Sequence, residues 1–593
     1  MRPIFAIPAY LIIALAGLVS VFLLRKPRPM PSVLCMLSAV LFFSYILWRA
    51  YTSPVEYLSR HDRYMVLAAL VVYFTFALYI TDPKLRLYLV YGLFLLAVGH
   101  LAVGAIQFSQ ENNYLPFGYH RADYGKRASG FYVCPNHYAG LLEMLAVMAA
   151  AVGCWGRVGV KTRLVLLYFS LLLIAGVAIS GSRGGYVSIA FAFMTLVALS
   201  ILVVRAVRPQ RTLLIGGIAV AITVVLGVAG VGLMKKNPLL SNRVGTIVDP
   251  SNMRLQLWDA ALKQYHTQPA TGTGAGTYLY LGRLYRDPRV VTDPVWVHND
   301  YYHLLAEYGY LGAIGFALFL GCHLWQGGLG LRRIIQKRLV ETHEISSNAL
   351  ALNVGALAAI AAMVAHSVVD FNAHIPGNTL VLAALFGMLA NPPTLRSREL
   401  PPGRVPAFPF KLLIPACAIA LAVDAAPHLR GEWFSEKARV ALRDQNYLTA
   451  LREAHSGLEV EKTNPDLHYY LGEARRLFGI SLSTEAARNS MNEAAFVAFT
   501  DSLKLFPQDE KVWVKRAQAL DLLGRHEEAL ADLDKAKALD PNLDALYTYY
   551  AAHYEIQGDQ KKALEFYEKA RSSKLALDSR ESLLRQMKDD GAR

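Results

Sequence analysis

Apolar runs of membrane-spanning length dominate the first 425 residues of the chain. A bilayer's hydrocarbon core needs about 20 apolar residues per helix. Runs near 4–24, 30–50, 65–81, 86–107, 138–156, 164–181, 186–204, 212–234, 310–330, 348–370, 378–391 and 411–425 predict twelve spans. The first has no basic stretch before it beyond Arg2 and no small-residue cleavage site, and Arg25, Lys26 and Arg28 follow at once. It reads as a retained span rather than a cleaved leader.

From about Arg430 the pattern changes to amphipathic helices with a fixed period. Pro507 and Pro541 stand 34 residues apart, as do Gly524 and Gly558; Ala495, Ala529 and Ala563, and Ala536 and Ala570, keep the same interval. That is the tetratricopeptide period, in which small residues let paired helices pack closely. A degenerate earlier pair falls around 432–475. The expected fold is all-α: a polytopic membrane domain over 1–425 with a large loop at 235–309, then a tetratricopeptide-type α-solenoid over 426–593. Such arrays offer a concave groove to a protein partner. A rigid cap over the membrane domain is the competing use.

Charge sets the expected topology. Lys84 and Arg86; Arg157, Lys161 and Arg163; Arg205, Arg208 and Arg211; Arg332, Arg333, Lys337 and Arg338; and Arg396, Arg398, Arg404 and Lys411 fall, like Arg25 to Arg28, in alternate loops, which should be cytoplasmic. The loop at 108–137, the turn at 180–185, the loop at 235–309, the turn at 371–377 and everything after 426 then face outward, as does the N-terminus, against the mild opposition of Arg2. The net charge of +15 in 593 residues therefore encodes orientation and does not imply nucleic acid. Five scattered cysteines give neither a disulfide framework nor a CxxC pair.

The outward segments carry the candidate chemistry. In PVWVHNDYYHLLAEYGYLG (294–312), His298, Asn299 and Asp300 precede a membrane-entering helix. A histidine there can exchange a proton near neutral pH, and a helix N-terminus favours anions; with Trp296 it also suits an interfacial anchor. Arg127, with Arg121 and Lys126 nearby, Arg183 in SGSRGG and Arg254 can grip phosphate oxygens in pairs. Arg183 stands at a membrane edge, where an unpartnered charge is costly, and its glycines leave room for a ligand; snorkelling or a structural ion pair is the alternative. Leu255, Trp258, Ala261 and Leu262 mark an amphipathic helix. In TGTGAGTY, Gly272, Gly274 and Gly276 form a tight turn before they form an anion nest, and the absence of a GK[ST] ending excludes a nucleotide P-loop. His366 and Asp370 are four apart on one predicted helix face, with His374 beyond; mutual orientation, a metal and a proton relay all remain open. His298 and His303, five apart, do not form a metal pair, and His303 is expected to pair with Glu307 as a structural contact.

RASGFYVCPNHYAGLL, SGSRGGY, the Arg254-to-Trp258 helix leading into TGTGAGTY, and HNDYYHLLAEYGYLG follow one another between spans. In that order they resemble the O-antigen ligase family, which takes in O-antigen polymerases and bacterial protein O-oligosaccharyltransferases, over roughly residues 80–390. The resemblance implies an inner-membrane enzyme whose site and C-terminal repeats face the periplasm. It would move a glycan from an undecaprenyl-pyrophosphate-linked oligosaccharide to a lipid, glycan or protein hydroxyl, with no nucleotide sugar, cofactor or metal. It makes His298 the base, and gives the donor pyrophosphate to Arg183 and Arg254, with Arg127 as a further contributor. Asn299, Tyr302, His366 and Asp370 are the supporting candidates. Ligases of this family are usually drawn with both termini in the cytoplasm, unlike the topology read here. Two other classes stay in view: a transporter, which should place its polar groups near the bilayer midplane, and an assembly scaffold led by the repeats.

Overall fold

The computed structural model describes residues 3–23, 30–116, 121, 124–236, 241, 253–290, 295–341, 346–392 and 408–570. Each of the twelve apolar runs lies on a helix: α1 (Ile7–Val19), α2 (Val33–Tyr51), α3 (Glu56–Leu78), α4 (Pro83–Gln110), α5 (Pro135–Trp155), α6 (Val160–Ile179), α7 (Arg183–Val207) and α8 (Thr212–Lys235). After the loop helices α9 (Met253–Thr267) and α10 (Tyr278–Leu284) come α11 (Asp300–Glu341), α12 (Asn348–His366), α13 (Pro376–Ala390) and α14 (Phe408–Ala425). Among the described residues, eight helices are long and apolar enough to cross a membrane, α2 to α7, α11 and α12, while Ile7–Leu23 and Pro376–Ala390 are shorter. No strand occurs among the described residues.

Polar residues place the helix ends. Asp82 accepts the amides of Lys84 and Leu85 at 2.8 and 3.0 Å and starts α4, and the Ser182 hydroxyl accepts that of Gly185 at 3.1 Å and starts α7; both satisfy amides that lack a partner within the helix. α3 begins well before its predicted span and carries Arg60, Asp62 and Arg63 into the protein interior. Arg86, expected in a loop, is fully buried: it donates to the carbonyls of Ile80 and Phe76 at 2.6 and 3.0 Å, closing the end of α3. Arg25, Lys26, Arg28, Arg396, Arg398 and Arg404, and residues 242–252 of the large loop, lie outside the described residues.

α5 is buried over nearly its whole length and packs on α6, α7 and α12; α3 packs on α13 and α14. Outer helices turn apolar side chains outward, among them Leu95 on α4, Leu164 and Val165 on α6 and Val224 on α8. That exposure suits hydrocarbon rather than water. All five cysteines are free.

After a bend of 42° the chain enters α15 (His428–Arg443), which pairs with α16 (Tyr447–Val460). Three more hairpins follow: α17 (Pro465–Ile480) with α18 (Glu485–Leu505), α19 (Glu510–Leu522) with α20 (His526–Leu539), and α21 (Leu546–Ile556) with α22 (Gln560–Lys569). The periodic alanines Ala495, Ala529, Ala563, Ala536 and Ala570 are fully buried, and Gly524 and Gly558 make the left-handed turns between paired helices. The early pair expected around 432–475 is a regular hairpin over 428–460, with α17 opening the next.

These hairpins are fastened to the membrane helices through buried ion pairs. Arg60 of α3 meets Glu461 at 2.5 Å, and His428 reaches the same carboxylate at 2.7 Å. Arg283 on α10 pairs with Glu510 and Arg286 with Asp540, all four buried, and Asn542 donates to the Arg286 carbonyl at 2.5 Å. Phe506 packs on Tyr280 and Val55. The repeats thus cap the helix ends and hold a loop of their own chain.

The junction contains a mismatch of charge. Glu432 is buried 3.3 Å from Asn464, and burial, then Asp466 and Glu461, push its carboxyl up to about 8. The fold therefore favours the protonated form. This contribution is complete below the ordinary glutamate range near 4.3 and is lost as pH rises through about 8. Glu432→Gln, which keeps an acceptor for Asn464, should raise the melting temperature at pH 8.5 and leave it nearly unchanged at pH 4; an equal gain at both would mean that the buried charge is not what destabilises the junction.

Candidate functional site

The ends of α5, α9, α11 and α12 converge on one buried carboxylate. α12 stops at His366, and residues 367–370 turn back so that Asp370 points into the bundle. Its Oδ1 lies 3.2 Å from His298 Nδ1 and accepts the Phe371 amide at 3.0 Å. Its Oδ2 accepts from Asn136 at 2.6 Å and from Arg254 at 3.3 Å. Burial opposes the charge, but the hydrogen bond and charge of His298, followed by Arg254, outweigh it and hold the carboxyl well below the usual carboxylate range.

His298 is placed by three constraints. Its φ of +54° is uncommon outside glycine and stores local strain. The Trp258 indole donates to its carbonyl at 3.3 Å, and its ring meets Phe371 edge-on at 4.8 Å. Because a carboxylate can only accept, the bond to Asp370 fixes the proton on Nδ1 and leaves the Nε2 lone pair for a reactant. The side chain keeps 24% of its exposure while Asp370 keeps 1%, so the imidazole is the accessible member of the pair.

Of the three arginines, Arg254 joins His298 directly through Asp370. Arg127 is one step removed: it donates to Asn136 at 2.8 Å and to the Ser180 carbonyl at 2.8 Å, linking the end of α6 to the network. Arg183 opens α7, half-buried. The space that the sequence reading gave to its glycines is filled by protein. A methyl on Gly184 would approach His366 Nε2 to 3.0 Å, and one on Gly185 would approach Ala139 to 2.9 Å.

The supporting candidates part company. Asn299 caps α11, accepting the amides of Tyr301 and Tyr302 at 2.9 and 3.0 Å. Tyr302 packs its ring on Trp258 at 5.6 Å. His366 and Asp370 do not share a helix face, because the helix ends between them; His366 turns instead to Glu143 on α5 at 2.9 Å, a fully buried pair that Ser188 also joins. His374 bonds Asp300 at 2.9 Å. Asn136, Glu143, Trp258 and Phe371 were not assigned roles from the sequence. Glu143 carried a usable signal as an acid inside an apolar run, and Asn136 as a polar residue just after Pro135 at a helix start.

The glycine turn is a nest that already holds an anion. The amides of Gly276 and Tyr278 both donate to the Glu307 carboxylate at 2.9 Å, and Gly274 donates to its carbonyl at 2.9 Å. α11 breaks at Gly309, where φ is +65° and an added methyl would collide with the Ala270 carbonyl. The tight-turn reading of TGTGAGTY matches this arrangement. His303 lies 3.3 Å from Glu307 Oε2, at an angle that makes no hydrogen bond. Among the described residues, the His/Asp grouping with metal-ligand spacing lies away from here in the repeats, where His526 and His553 approach one oxygen of Asp521 at 2.9 and 2.8 Å.

Residues 144–317 match the family model of the O-antigen ligases, and residues 510–543 that of a tetratricopeptide repeat. No curated protein matches the chain. Solved structures similar to it include a thermophilic tetratricopeptide-repeat protein of Thermus thermophilus, 20% identical over 28% of this chain and 90% of that one, TM-score 0.25. The MamA protein is 17% identical over 24% of this chain and 90% of its own, TM-score 0.15.

Glu307→Gln would leave one nest amide facing an amide instead of a carboxylate oxygen. The expected cost is about 1–3 kcal/mol, with faster hydrogen exchange at Gly276 and Tyr278; unchanged exchange there would show that the turn does not depend on this anion.

Proposed function

We propose that this chain, a multi-pass membrane protein with an O-antigen ligase segment and tetratricopeptide repeats, transfers a glycan from an undecaprenyl-pyrophosphate-linked donor to an acceptor hydroxyl. The observation that carries this reading is the single buried carboxylate joining His298 to Arg254. His298 Nε2 takes the acceptor's proton as the hydroxyl oxygen attacks the anomeric carbon. The bond from that carbon to the pyrophosphate breaks, and the polyprenyl pyrophosphate leaves with its electron pair. Asp370 holds the imidazole in the required tautomer and stabilises the imidazolium that forms. Arg254 and Arg183 stabilise the departing pyrophosphate, where charge develops. Arg127 acts through Asn136 and is a positioning residue.

In this reading the protein lies in the bacterial inner membrane, with residues 1–425 as the transferase and the repeats from 426 onward on the periplasmic side with the site. Ligase, polymerase and protein glycosyltransferase share this donor grip and base, and product mass separates them. Transport fits less well, because the His298 cluster gathers at the ends of several helices.

In membranes lacking the endogenous protein, the wild type should consume a lipid-linked oligosaccharide. His298→Ala should slow turnover by roughly 10²–10⁴-fold, the usual worth of a general base, and Asp370→Asn should lower kcat more than it raises KM. Wild-type rates in folded His298→Ala protein would sink the assignment.

A further inference from the structure

The repeats hold a cluster of ligating side chains that glycan transfer does not use. Asp521 lies in the last turn of α19, the left-handed turn at Gly524 reverses the chain, and His526 opens α20; His553 comes from α21 of the next hairpin. His526 Nδ1 and His553 Nδ1 stand 2.9 and 2.8 Å from the same carboxylate oxygen, Oδ1 of Asp521. The three ligand atoms lie within 4.8 Å of one another, the one such grouping among the described residues. Asp521 and His553 keep 5% and 1% of their side-chain exposure and His526 keeps 33%, so two ligands are fixed in the interior and the third faces the entry.

The spacing is close to that of ligands around a metal. On a tetrahedral zinc, bonds of about 2.0–2.2 Å hold neighbouring ligand atoms about 3.4 Å apart, so each N···O distance here need open by only about 0.5–0.6 Å. The far ring nitrogen of His553 is also held: Gln557, four residues on, places its side-chain amide 2.6 Å from Nε2. Metal-ligating histidines have the other nitrogen bonded in this way, which fixes ring and tautomer. With the amide nitrogen inward, Gln557 donates to Nε2 and His553 donates from Nδ1 to Asp521. With the amide turned over, its oxygen accepts from Nε2–H, and Nδ1 presents a lone pair to the carboxylate. Two acceptors that close need a cation between them. The same side chains thus serve a metal-free and a metal-bound state.

Imidazole and carboxylate donors together suit a transition metal such as zinc, whereas calcium and magnesium take oxygen ligands. The neighbouring Arg525 is already neutralised by Glu528 at 2.7 Å. We propose that Asp521, His526 and His553 bind a zinc ion that clips the α19–α20 hairpin to α21, with water at the fourth position. The clip is structural and independent of the transfer reading. It acts on the hairpin whose far end, at Asp540, pairs with Arg286 of the large loop.

The test uses the full chain in nanodiscs, stripped with a chelator and titrated with zinc against a chromophoric competitor. A single tight site per chain is expected, with affinity falling as pH drops through the histidine range, because only neutral imidazoles bind. His526→Gln and Asp521→Asn should each remove the tight site. Gln557→Ala changes no ligand atom and should weaken it roughly 10–100-fold. Zinc should raise the melting temperature of the wild type and slow hydrogen exchange in α21, and do neither in His526→Gln, whose exposed position lets the metal-free chain melt as wild type does. Cobalt in place of zinc should give the visible absorption of a four-coordinate site in the wild type and not in His526→Gln. Tight binding that survives in His526→Gln would put the metal on other side chains and overturn the proposal. So would a wild type that retains no zinc, which would leave the three side chains as a hydrogen-bonded cluster only.

Discussion

A charge buried among helix ends must be neutralised, and Asp370 meets that demand by drawing partners from four separate segments. His298, Asn136, Arg254 and the Phe371 amide all reach one carboxylate. Taking away one partner of a buried charge typically costs about 3–5 kcal/mol, so the convergence of α5, α9, α11 and the turn after α12 is energetically fixed. The same bond gives the imidazole its tautomer. The packing of four segments and the orientation of one imidazole therefore depend on one group, which restricts what can replace it.

A second carboxylate, nine residues after His298, plays the matching structural role. Glu307 closes the nest of Gly276 and Tyr278 next to the break at Gly309. The turn is thereby locked to α11 just beyond His298. From Tyr278 the chain runs directly into α10, whose Arg283 is buried against Glu510 of the repeats. Buried polar contacts thus tie α10 to the repeats through Arg283 and to α11 through Glu307. The repeats are thus part of the scaffold around the loop.

The two ends of the His298 region differ in charge. Arginines gather around α6, α7 and α9, while the carboxylates of Asp62 and Asp300 border an apolar cavity among α2, α3, α11, α12 and α13. The cations and the carboxylates therefore face different parts of the region around His298.

Much of this was legible in the chain itself. Each apolar run marked a helix, though of the twelve spans expected eight helices among the described residues are long and apolar enough to cross a bilayer, and the 34-residue spacing marked the hairpins, because small residues recur wherever paired helices touch. The order of His298, Arg183 and Arg254 along the chain marked the residues worth following. Tertiary structure alone decided whom they meet. His366 and Asp370 are four apart in sequence, yet the helix ends between them and they turn to Glu143 and His298, partners more than 70 residues distant. The glycine turn was legible as a tight turn, but not that Glu307 would close it. Local spacing follows from helix geometry, whereas the pairing of buried charges depends on which ends the packing brings together.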